Sequence, residues 1–167
     1  MTQSGLVMIG ASIYDILVSH PHPTLRALCV GRHEFVAEHI GRYFGKLGLV
    51  TECVVGVDSA VDAARHAAPD VILCEYELLT SFPLAAWEND EHLSRTAVIG
   101  ISLSRRPNEL LPLNVNGVAG FLYLPTLDEE DARRVVHAAA MSARAHYQQS
   151  LPTTFASMRA ERDLSAR

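Results

Sequence analysis

Five short, almost continuously apolar runs recur between residues 25 and 125: LRALCVG (25–31), LVTECVVG (49–56), PDVILCEYELL (69–79), TAVIGIS (96–102) and VAGFLYLP (118–125). Runs this short, apolar at successive rather than alternate positions, read as strands buried on both faces. The segments between them carry helical signals. HEFVAEHIGRYFGKLG (33–48) spaces Phe35, Val36, Ile40, Tyr43 and Phe44 along one expected apolar face and offers Gly48 as a C-cap. DSAVDAARHAA (58–68) is expected to be capped by Asp58 or Ser59, and SFPLAAWENDEHLSR (81–95) to be helical in part, with Trp87 as a half-buried packing residue. RRPNELLPLNVNG (105–117) contains Pro107 and Pro112, so any helix there is short or distorted. TLDEEDARRVVHAAAMSARAHYQQ (126–149) predicts a long helix. Thr126 or Asp128 would cap it, acidic residues crowd its first turn, and Val135, Val136, Ala139 and Ala143 would face the sheet.

Strand and helix thus alternate from about residue 25 to 149. Short crossovers joining fully apolar strands predict an α/β fold: a doubly wound five-stranded parallel sheet between two helical layers. Ligands in such folds sit beyond the carboxyl ends of the strands, at the reversal of strand order. That directs attention to Gly31, Arg32 and His33, to Glu75, Tyr76 and Glu77, to Ser102 and Leu103, and to Leu124 and Pro125.

Length and charge narrow the functional classes. The 167 residues, 49% hydrophobic and 20% charged, suit one soluble domain with short appendages. A net charge of −5 argues against a nucleic-acid partner. Residues 1–23 contain no Lys or Arg, so a secretory signal is not expected. The apolar stretch 6–18 is too short to span a bilayer, so no membrane association is expected either. An extra strand, a docked helix and a misassigned start all remain open for it. Cys29, Cys53 and Cys74 lie inside apolar runs without a CxxC pair, which reads as reduced packing thiols in a cytoplasmic protein.

Catalytic signatures are weak. His33, Glu34, Glu75 and Glu77 match no metal-ligand spacing, and His20 and His22 form only a lone pair in a proline-rich stretch. No G-x-S-x-G elbow accompanies Ser102 or Ser104, and neither a G-x-G-x-x-G nor a Walker loop follows the first strand.

RALCVG with its amphipathic helix, PDVILCEY, TAVIGIS, and GVAGFLYLP with the acidic-capped helix DEEDARRVVHAA occur in the order found in receiver domains of two-component response regulators. Residues 24–145 resemble that family, with 1–23 as an N-terminal extension and 146–167 as a helix end and tail. The resemblance implies a flavodoxin-like (receiver) three-layer sandwich. It also implies an acidic pair holding Mg²⁺ after the first strand, a phosphoacceptor aspartate ending the third, a hydroxyl after the fourth, and a lysine before the proline of the fifth. Here the acidic pair falls on Gly31 and Arg32, the phosphoacceptor on Glu75, the hydroxyl on Ser102, and the lysine on Leu124, next to Pro125. The aromatic switch position falls on Phe121. The only lysine, Lys46, precedes the second strand, at the opposite rim.

Magnesium needs converging oxygen ligands, and a phosphoryl group in transfer needs a facing cation. The pattern is therefore that of a degenerate pseudo-receiver: no enzyme, no cofactor, and Mg²⁺ binding expected to be lost. Arg32 is expected either to pair with Glu75 in the vacated space or, with it, to point to solvent. The function expected is phosphorylation-independent signalling by protein contact in a bacterial two-component pathway, with Glu75 as a fixed negative charge. The partner would be a histidine kinase or a downstream signalling protein. A homodimer is possible through residues 105–149, where the segment around Arg105, Arg106 and the prolines would set a distinct preference. A working phosphoacceptor receiver and a small flavodoxin-like ligand-binding domain or enzyme are the alternatives.

Overall fold

The computed structural model describes residues 24–90, 93–104 and 117–150. The expectations for residues 1–23, for 105–116 and for the tail after 150 lie outside the described residues.

Strands β1 (Arg26–Gly31), β2 (Val50–Val55), β3 (Val71–Glu75), β4 (Ala97–Ser102) and β5 (Val118–Tyr123) form one sheet in the order β2-β1-β3-β4-β5, and every pair is parallel. Helices α1 (Glu34–Lys46), α2 (Val57–Ala67), α3 (Leu84–Glu88) and α4 (Glu129–Ser150) cover its faces. The expected doubly wound α/β fold is the observed one. Strand order reverses between β1 and β3, which opens a crevice at their carboxyl ends.

Strand periodicity divides the core into two layers. Ala27, Cys29, Val71, Leu73, Ile99 and Ile101 point to one face, where Ile40 and Phe44 of α1 and Ala132, Val136 and Ala140 of α4 complete a cluster. Leu28, Val30, Ile72, Cys74 and Val98 point to the other, against Ala60 and Ala64 of α2 and against Leu84 and Trp87 of α3. Side chains such as Phe44, Leu73 and Ile99, with no exposed surface, each contribute ~1.5–3 kcal/mol of burial.

Several sequence expectations need correction. The strand expected over 69–79 stops at Glu75, and Tyr76–Ser81 is a 3₁₀ turn. The two edge strands are not buried on both faces as expected: β2 has no buried position, so Cys53 is exposed rather than an interior residue, and β5 buries only Leu122. Phe35 lies at 71% exposure, on the first turn of α1 and off its buried stripe. Trp87 is buried, not half-buried. α2 starts at Val57, with Gly56 at its N-cap and Asp58 inside the first turn, so neither Asp58 nor Ser59 caps it. Asp128 does cap α4: its Oδ1 accepts from the backbone N–H of Glu130 at 2.9 Å. Gly48, with φ +93°, terminates α1 in the left-handed conformation that favours glycine.

Candidate functional site at the carboxyl ends of the strands

Sheet topology brings the residues singled out from the sequence to one rim. Gly31 ends β1, Glu75 ends β3 and Ser102 ends β4; all three are buried. Arg32 follows β1 directly. Since β1 and β3 are hydrogen-bonded neighbours, the residues leaving their ends meet across the crevice.

Glu75 and Arg32 meet there. The Glu75 residue is 3% exposed, and both carboxylate oxygens have donors. The Arg32 backbone N–H donates to Oε2 at 2.7 Å. The guanidinium donates from Nε to Oε1 at 2.9 Å, and Nη2 lies 2.9 Å from the same oxygen. A buried carboxylate requires such partners, and charge-assisted ones are the strongest available. The Arg32 side chain is 50% exposed. Its hydrogen bond to Glu75 holds the guanidinium pKa above its ordinary value, with the Glu75 charge and then Glu77 adding to that. Of the two arrangements the sequence left open, the pair is the one present. The notion of Glu75 as a fixed charge offered to a partner meets a physical obstacle, because the charge is buried and matched by Arg32.

The other positions frame this pair. Leu124, in the 3₁₀ turn Leu124–Thr126 after β5, turns into the α1/α4 core, while Pro125 is exposed. Phe121 lies on the opposite sheet face, its ring 5.9 Å from Tyr76 in an edge contact. It packs over Gly100, where an added Cβ would meet Phe121 Cδ1 at 2.5 Å and Leu79 Cδ1 at 2.7 Å. Two parts of this arrangement escaped sequence reasoning. The backbone donor of Arg32 has no sequence signature, and Tyr76 signalled only by following Glu75.

The Mg²⁺ that the resemblance implies does not fit these residues. Gly31 carries no carboxylate, Arg32 sets a cation against Glu75, and both Glu75 oxygens are engaged. Among the described residues, no three of His, Cys, Asp and Glu converge in a way that could hold a metal. His33 and Glu34 are exposed loop and helix-start residues.

No family model and no curated protein matches the chain. Solved structures do. A sensor protein from Polaromonas sp. JS666 superposes with a TM-score of 0.60 at 19% identity, over 72% of this chain and 99% of that one. The signal receiver domain of a putative Luxo repressor protein from Vibrio parahaemolyticus gives 0.56 at 17% identity, over 76% and 98%. That of the putative response regulator NarL from Mycobacterium tuberculosis gives 0.51 at 23% identity, over 72% and 97%. The chain has the receiver fold. Likeness at this identity speaks for architecture; the receiver fold by itself leaves the chemistry to the residues at its rim.

Proposed function

We propose that this receiver fold works as a pseudo-receiver: a signalling module of a two-component-type pathway that acts by protein contact without being phosphorylated. The observation carrying this reading is the Arg32–Glu75 pair. A guanidinium and a backbone N–H occupy both oxygens of the carboxylate that phosphoryl chemistry would need free. Leu124 offers no cation to a phosphoryl group and is buried elsewhere. A divalent cation beside Arg32 would meet like-charge repulsion, so the module is proposed to dispense with Mg²⁺ and with any cofactor.

The partner is proposed to be a histidine kinase or a downstream signalling protein, met in the cytoplasm, with a homodimer as one mode of assembly. Among the described residues, no helix is long and apolar enough to cross a membrane.

The test is phosphorylation of the full chain with acetyl phosphate and MgCl₂, read by intact mass. The expected spectrum is unchanged, and the fluorescence of Trp87, the single tryptophan, does not respond. A phosphoryl adduct mapped to Glu75 would overturn the reading in favour of a working phosphoacceptor.

A further inference from the structure

The sequence presents Cys29 and Cys53 as packing thiols in separate strands. The fold makes them partners. They are directly opposed in the β1–β2 register, so their side chains leave neighbouring strands on the same face, beneath α1. Both thiols converge on Gly41 of that helix. A Cβ built there would lie 2.5 Å from Cys53 Sγ and 3.9 Å from Cys29 Sγ. Glycine at position 41 is thus what lets the helix close over two sulfurs. The Cys53 thiol donates to the Ala37 carbonyl at 3.4 Å.

Adjacent strands lie ~4.8 Å apart, inside the ~4.4–6.8 Å Cα separation that disulfides span. Access is asymmetric. Cys29 has no exposed surface, whereas Cys53 lies on the open edge strand and is exposed. Cys74, the third thiol, points to the opposite face, into the α2/α3 cluster.

We propose that Cys29 and Cys53 form a modification site, in which hydrogen peroxide oxidises the pair to an intrachain disulfide tying the edge strand β2 to β1. The Cys53 thiolate attacks one peroxide oxygen, the O–O bond breaks, and the departing hydroxide is protonated to water, leaving a sulfenic acid on Cys53. The Cys29 sulfur then attacks the Cys53 sulfur. The S–O bond breaks, and the hydroxide leaves with the Cys29 proton as a second water. The two thiols supply the two electrons that reduce the peroxide. Burial holds the Cys53 thiol above its ordinary pKa, the neighbouring Cys29 thiol partly offsets this, and Glu38 and Glu52 add to the rise. The first step is therefore slow at neutral pH, and the site answers to sustained oxidant rather than to traces.

The experiment exposes the full chain to hydrogen peroxide in native buffer, then maps cysteines by mass spectrometry after unfolding and alkylation. Wild type is expected to lose the mass of two hydrogens, with Cys29 and Cys53 recovered as one linked peptide pair and Cys74 still alkylated. Cys29→Ser is expected to hold a single oxygen on Cys53, trapped by dimedone, while Cys53→Ser leaves Cys29 reduced. Circular dichroism establishes that each protein is folded. The proposal fails if folded wild type accumulates the same dimedone adduct as Cys29→Ser, links to a second chain through Cys53, or keeps all three thiols reduced.

Discussion

Glu75 receives its two kinds of donor from one neighbour, and they depend differently on that neighbour's side chain. The backbone N–H of Arg32 survives any substitution but proline, while the guanidinium contacts do not. Arg32→Ala is therefore expected to lower the urea midpoint by leaving Oε1 of a buried carboxylate without a protein donor. Arg32→Lys, with a point charge in place of a planar fork, should lie between it and wild type. Because the Arg32 side chain is half exposed, the difference should shrink at high salt. Equal midpoints for the three proteins at low salt would show the pair to be structurally idle. A second residue-scale contact is the Tyr43 hydroxyl, which donates to the Leu127 carbonyl at 2.8 Å and ties α1 to the start of α4. Burial, and then the charges of Glu129 and Asp128, raise its pKa, so the phenol stays a donor above its ordinary range. Tyr43→Phe is expected to cost ~1 kcal/mol in chemical denaturation.

At the scale of elements, helix ends and close approaches carry the information. Asp128 caps α4 by accepting from the backbone of Glu130 and Asp131, so Asp128→Ala should cost ~1 kcal/mol and fray the first turn, visible as faster amide exchange there. α2 has no such side-chain cap and should be insensitive to Ser59→Ala. Gly100 in β4 is different in kind, since the Phe121 and Leu79 side chains occupy the space of its missing Cβ. Gly100→Ala should destabilise by ~1–3 kcal/mol through overpacking. Phe121 lies at the surface and can yield by swinging outward, so loss of its edge contact with Tyr76, read by NMR of the aromatic rings, should accompany the change. The sequence showed an apolar run at 96–102 but nothing of what stands opposite Gly100, because that contact joins residues 21 apart through a sheet register.

For the whole molecule, the buried thiols set a pH limit. Burial pushes the Cys74 thiol from 9.0 up to about 12, with the Glu75 charge adding to it, and burial raises Cys29 as well. A raised folded-state value means that the unfolded chain loses its proton first as pH climbs. The contribution to stability is then complete below about pH 9 and declines as pH rises through about 12, by up to ~1.4 kcal/mol per pH unit and thiol. Wild type should lose its denaturation midpoint more steeply above pH 9 than Cys74→Ala, after normalising each protein to its neutral-pH value. Parallel curves would contradict the assignment. The ends of the sheet are also tied across elements. Asp70 accepts from the Arg26 backbone at 2.8 Å and pairs with Arg144 of α4, and the Thr96 hydroxyl donates to the Pro69 carbonyl at 3.0 Å.

Local pattern alone determined the five strands, the parallel sheet and the covering helices. Consecutive apolar residues and glycine or proline breaks are properties of adjacent positions, but burial on both faces holds only for the inner strands β1, β3 and β4, because which strands end at the edges is decided elsewhere. The resemblance to receiver domains, rather than the pattern, singled out Arg32 and Glu75 as departures from that family at the rim. Tertiary structure decided what the pattern could not contain. The edge position of β2 exposed Cys53, the β1–β2 register set it against Cys29, and the strand reversal beside β1 laid a guanidinium and a backbone N–H on one carboxylate. Each depends on which strands become neighbours and in what register, a choice made by packing across the whole sheet rather than by any residue and those beside it in the chain.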